Sequence, residues 1–170
     1  SAEDHLRRAM GARTPATRAK HAKAGLASRQ RLEPTTQAML LRQLYLALYE
    51  RRRFDEAHEI ALQALTCDVL ADVLHQDAAR AALASGDTEG ALAHLRTAAR
   101  RSPASRRPFH LWTLGATLFL MQRYPEAISA LKRATRWGTH DKPLYRGHLA
   151  LAKLAAGLVV TDLQFAVDAL

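Results

Sequence analysis

The sequence predicts an all-α fold: a right-handed helical-repeat solenoid of about four to five antiparallel helix pairs. Three observations predict it. The apolar residues, 48% of the chain, are mainly Ala and Leu, and Gly and Pro number only 8 and 6, a balance that favours helix over sheet. RFDEAHEIALQAL at 53–65, GDTEGALAHLRTA at 86–98 and RYPEAISALKRAT at 123–135 share one pattern of an acid followed by spaced small residues. Each of these is preceded by another segment with apolar residues at helical spacing, so the repeating unit is a pair of helices.

At the front, Thr14 followed by Pro15 is a helix start, an N-cap with Pro in the first helical position. Ala19, Ala22 and Leu26 then form an apolar stripe, so residues 15–28 read as the second helix of a degenerate leading unit and residues 2–10 as its short first helix. The first full pair carries Leu41, Leu44, Tyr45 and Leu48, then Ala57, Ala61 and Ala64. The second carries Ala78, Ala79 and Ala82, then Ala91, Leu95 and Ala98; the third carries Leu111, Leu114, Gly115 and Leu118, then Ala127, Leu131 and Ala134. GHLALAKLAAG at 147–157 looks like a fourth first helix ending at Gly157. The tail LVVTDLQFAVDAL offers Ala166 and Ala169 as small positions but Asp162 where the pattern asks for Ala. It either completes the fourth repeat or docks into a groove as a pseudo-ligand.

This pattern resembles the tetratricopeptide repeat, a helix-turn-helix unit with a large residue, Leu-Gly and an aromatic in its first helix and Ala-rich positions in its second. The third repeat matches best, and Pro103 stands where the second should end. The expected layout is a basic helical segment over residues 1–36 and an array over 37–170, with units 38–71, 72–107, 108–142 and 143–170, all in one domain. A lone helical hairpin cannot bury its apolar face, so hairpins stack, and small residues let the helix axes approach closely.

The resemblance implies a concave surface lined by the first helices. Met39, Arg42, Gln43, Leu46 and Tyr49 are expected there from the first repeat, and Val73, Gln76, Asp77, Arg80 and Leu83 from the second. Phe109, Trp112, Thr113, Ala116 and Phe119 follow from the third; Leu144, His148 and Leu151 from the fourth. FHLWTLGATLFL at 109–120 is apolar on two faces. Its core stripe leaves Phe109, Trp112 and Phe119 over, either as lining of an apolar groove with Arg42 and Arg80 as polar anchors or as packing under a neighbouring helix. Arrays that grip a chaperone's C-terminal carboxylate resemble one another in a clamp of Lys, Asn, Asn, Lys and Arg. Here those positions hold Arg42, Leu46, Asp77, Phe109 and Thr113, of which only Arg42 suits a carboxylate. The expected partner is therefore an apolar or amphipathic peptide or helix, and the expected function is a non-catalytic adaptor.

The formal net charge of +9 raises a rival: binding of nucleic acid or an acidic protein through a basic outer surface. Its support is Arg51 to Arg53, the cluster Arg100, Arg101, Arg106 and Arg107, and a front segment rich in Arg and Lys. No nucleic-acid motif accompanies them, and the clusters fall mainly in connections or at helix ends, where basic residues suit the helix dipole. No HExxH, phosphate loop or GxSxG is present. Asp72 and His75 share a helix face and read as a structural polar pair; no cofactor or metal is expected. Cys67 is the single cysteine, so no internal disulfide is possible, which points to a reducing, cytoplasmic setting; its acidic and apolar neighbours make it a small apolar residue near a helix end rather than a reactive thiol. No apolar run reaches the roughly 18 residues of a membrane span. The chain starts at Ser1 without Met and ends at FAVDAL, which reads as a segment of a longer multidomain protein.

Overall fold

The computed structural model describes residues 1–139, 142–161 and 163–170, with the side chains of Phe165, Ala166 and Ala169 outside that description. The tail readings that rest on Asp162, Ala166 and Ala169 therefore lie outside the described residues. The described secondary structure is helical throughout: α1 (Ala2–Met10), α2 (Pro15–Leu26), α3 (Pro34–Glu50), α4 (Phe54–Leu65), α5 (Ala71–Ala84), α6 (Thr88–Arg101), α7 (Arg107–Leu120), α8 (Tyr124–Trp137), α9 (Lys142–Ala155) and α10 (Leu163–Ala169). The fourth first helix begins earlier than the sequence pattern suggested, at Lys142 rather than Gly147. The chain forms two compact units, Ser1–His94 and Leu95–Leu170, and the boundary falls inside α6.

Local chemistry starts and stops the helices. Ser1 and Asp4 close a capping box at α1, and the Thr14 side chain accepts from the Thr17 N–H ahead of Pro15. The turn inside each pair repeats one backbone motif. Arg52, Gly86, Gln122 and Gly157 all have positive φ, and each recurs one repeat after the last. At the first, the Arg52 N–H donates to the Tyr49 carbonyl at 2.9 Å and the Arg53 N–H to the Leu48 carbonyl at 3.0 Å; at the third, Gln122 and Arg123 donate to Phe119 and Leu118, both at 2.9 Å. These are Schellman caps, which satisfy the orphan carbonyls of a helix end and favour Gly at the left-handed position.

Within the unit formed by residues 1–94, successive helices from α1 to α5 pack on one another, and α1 also touches α3. Within the unit formed by residues 95–170, α7 packs on α8, α8 on α9 and α9 on α10, with α7 also touching α9. The small positions of the repeat do what their size allows. Ala57, Ala91, Ala127, Ala98, Ala134 and Leu131 are fully buried, and Ala61, Ala64 and Leu95 nearly so. Gly115 shows how close the approach is: a Cβ placed there would lie 2.6 Å from Leu131 Cγ, so no larger residue fits without repacking α7 against α8.

Candidate functional site

The residues expected on the first helices fall into two sets with different surroundings. In the 1–94 unit, Arg42 on α3 reaches α5, where its Nε donates to the Asp77 carboxylate at 2.6 Å. Asp77 is only 3% exposed, so it does not line an open surface as expected, and Gln43 is buried as well. Asp77 is turned toward α3, where Arg42 meets it. Burial pushes the Asp77 carboxyl above the usual carboxylate range despite the Arg42 hydrogen bond. Arg42 is thus held by an internal acid rather than standing as a polar anchor. Leu46 and Tyr49 are half-buried against the α3–α4 core, and Arg80 is exposed. Tyr49 packs on Phe54 across the turn, ring centroids 5.1 Å apart.

In the 95–170 unit the equivalent surface is aromatic. The Trp112 Nε1–H on α7 donates to His148 Nδ1 on α9 at 3.0 Å. His148 Nδ1 also lies 3.1 Å from the Leu144 carbonyl oxygen. An indole N–H only donates, so His148 Nδ1 is the acceptor in the contact with Trp112. Trp112 also meets Tyr145, centroids 5.8 Å apart, and Phe109 on its other side at 5.8 Å. Of the three aromatics expected in the groove, Trp112 and Phe119 are half-buried, and Phe119 packs on Tyr124 across the turn just as Tyr49 packs on Phe54. Phe109 alone of the three is exposed, at 42%. Beside it lies a cavity of about 150 Å³, lined by Pro108, Gly138 and Tyr145 among others.

Tyr145 was not singled out from the sequence, although its position three residues before His148 places both on one face of α9. His75 is likewise not paired simply along its own helix. Its Nδ1 lies 2.9 Å from His94 Nδ1 on α6, one ring donating to the other, and burial holds His94 below the usual imidazole range. Cys67 is half-buried, and burial pushes its thiol up. Among the described residues no group of three His, Cys, Asp or Glu is placed to hold a metal ion, and no helix is long and apolar enough to cross a membrane.

Residues 82–154 match the tetratricopeptide repeat family model. That segment carries tetratricopeptide repeats. No curated protein matches the sequence. Solved structures extend the likeness of fold to nearly the whole chain. BtubC (BKLC) from P. vanneervenii is 17% identical with a TM-score of 0.75, over 92% of this chain and 70% of that one. MamA 41-end from Desulfovibrio magneticus RS-1 is 15% identical with a TM-score of 0.73, covering 99% and 88%. PlcR of Bacillus thuringiensis, solved with the peptide PapR7 and DNA, is 10% identical with a TM-score of 0.68, covering 99% and 67%. The helical-repeat solenoid read from the sequence is therefore the fold found. Tetratricopeptide repeats are typically non-catalytic scaffolds for protein–protein contact.

Proposed function

We propose that this chain is a cytoplasmic adaptor that holds a protein partner on the aromatic face of α7 and α9. Phe109 is the exposed anchor, and Trp112, His148 and Tyr145 fix its surroundings. The observation that carries the reading is the contrast in exposure: the stack behind Phe109 is hydrogen-bonded and packed, yet its outermost ring is left in water beside a cavity. Large apolar rings exposed on a rigid support are what protein interfaces concentrate. The cavity suits one apolar side chain of a partner segment, which agrees with an apolar or amphipathic peptide rather than a carboxylate terminus. In the 1–94 unit, Leu46, Tyr49 and Arg80 form a second patch, with the Arg42–Asp77 pair serving as its frame. The repeat units 38–71, 72–107, 108–142 and 143–170 are proposed as its modules.

The test is a nuclease-treated pull-down from the source cell comparing the native chain with Phe109→Ala and with Trp112→Ala, each checked for helicity by circular dichroism. A protein captured by the native chain and lost by Phe109→Ala supports the reading. Capture that survives both substitutions contradicts it.

A further inference from the structure

Elsewhere in the 95–170 unit, α6, α7 and α8 line an open hollow of about 400 Å³. Its floor is apolar, built from Ala99, Leu111 and Leu114, and its walls include Arg100, Arg107, Arg133 and the indole of Trp137. A second hollow of about 540 Å³ shares Arg107 and Trp137 and adds Arg136. No carboxylate lines either hollow among the described residues.

Apart from Arg96, the arginines lining these hollows meet no carboxylate among the described residues. Arg96, at the edge, is taken by Glu126 at 3.0 Å. Arg100 donates to Thr97, and Arg107 Nη2 donates to the Ser102 carbonyl at 2.8 Å, which fixes its fork while its buried Nε finds no protein partner among the described residues. Arg133 lies over the Trp137 ring, 5.5 Å from its centroid. Among the described residues none of Arg100, Arg107, Arg133 and Arg136 meets a carboxylate.

Helix dipoles account for part of this. Arg100 and Arg136 sit in the last turns of α6 and α8, where a cation is favourable. Arg107 is the reverse case: it opens α7, where the dipole disfavours a cation. Arg100, Arg107 and Arg133 converge on the apolar-floored hollow and Arg136 on the one that adjoins it through Arg107 and Trp137, and an anion seated among them relieves their mutual repulsion. A lone carboxylate supplies one charge. A phosphate ester supplies close to two, with three acceptor oxygens that match the guanidinium fork. Trp137 is 47% exposed at the rim, and a planar ring stacks on such a side chain while its polar end meets arginine.

The geometry points to a binding site for a phosphate ester carrying a planar ring, a ligand of the nucleotide kind, either free or at the end of a single strand. These hollows share no lining residue with the cavity beside Phe109 among the described residues.

The experiment is fluorescence anisotropy of N-methylanthraniloyl-ADP titrated with the intact chain at physiological salt. Saturable binding is expected, weakened about tenfold or more by Arg136→Glu, the loss of one charge-assisted contact plus repulsion. Arg136 is exposed, so that variant keeps the fold, and Trp137→Leu supplies a second, uncharged test of the ring contact. Unlabelled ADP should compete and the bare nucleoside should not. Stronger competition by a 5′-phosphorylated oligonucleotide than by ADP would assign the site to strand ends, and the reverse to free nucleotide. Phe109→Ala should bind the probe like the native chain. Absence of saturable binding overturns the proposal, as does binding indifferent to Arg136→Glu, or displacement of the probe by a glutamate-rich aromatic peptide but not by ADP.

Discussion

Two side-chain pairs, each joining a first helix to the next, do opposite work. Arg42 to Asp77 joins α3 to α5 across 35 residues of sequence, and Trp112 to His148 joins α7 to α9 across 36. The same register position is filled by an ion pair in one unit and by an aromatic stack in the other. The ion pair takes Asp77 out of the surface, because a 3% exposed carboxylate has no reach into solvent. The stack leaves Phe109 outside. A repeat can thus spend an equivalent position on holding neighbouring pairs together or on offering a surface, and the residue chemistry says which.

That contrast can be broken by substitution. The largest effect is expected at Arg42→Ala, which strands the buried Asp77 carboxylate; a loss of about 3 kcal/mol should appear in urea unfolding. The pH dependence sharpens it. Burial already raises the Asp77 pKa in the folded state, and loss of Arg42 raises it further. A raised folded pKa contributes stability that is complete below the unfolded value and is lost as pH rises through the folded value. The deficit of Arg42→Ala should therefore shrink as the medium is acidified. A deficit independent of pH would mean that Asp77 is not the group left stranded.

Next comes Gly115→Ala, which forces a Cβ to 2.6 Å from Leu131 Cγ and should cost about 2 kcal/mol by overpacking, read as a lower thermal midpoint. Trp112→Phe keeps a ring in the stack but removes the N–H to His148, so about 1 kcal/mol of stability should go. In the opposite direction, Gln122→Gly relieves a left-handed non-Gly residue at a Schellman cap and should stabilise by up to about 1 kcal/mol. Destabilisation there would show that the Gln122 side chain makes up for its backbone.

The fold was legible because its signals are local and repeated. Ala57, Ala91 and Ala127 recur in phase, and Thr14-Pro15 announces a helix within two residues. The site was legible only in outline. FHLWTLGATLFL shows that α7 has apolar residues to spare, but which of them is exposed depends on what α8 and α9 cover. Phe119 meets Tyr124, and Trp112 meets Tyr145 and His148, so Phe109 is what remains. The Arg42–Asp77 pair was missed because each residue alone reads as a surface charge. Arg52 and Gln122 gave no warning of positive φ, since Gly is the usual sign of that backbone. The arginine-lined cavity draws on three helices, and its separate members look like helix-end charges.

The central claim is that the exposed edge of the α7–α9 stack is where a partner sits. The most direct test places a photo-crosslinking phenylalanine at Phe109 and, as a control on the same unit, at the exposed Ser129 of α8, in the source cell. One polypeptide joined through position 109 and not through 129 is the expected result. Adducts from 129 with none from 109 would contradict it and move the partner to the second-helix surface.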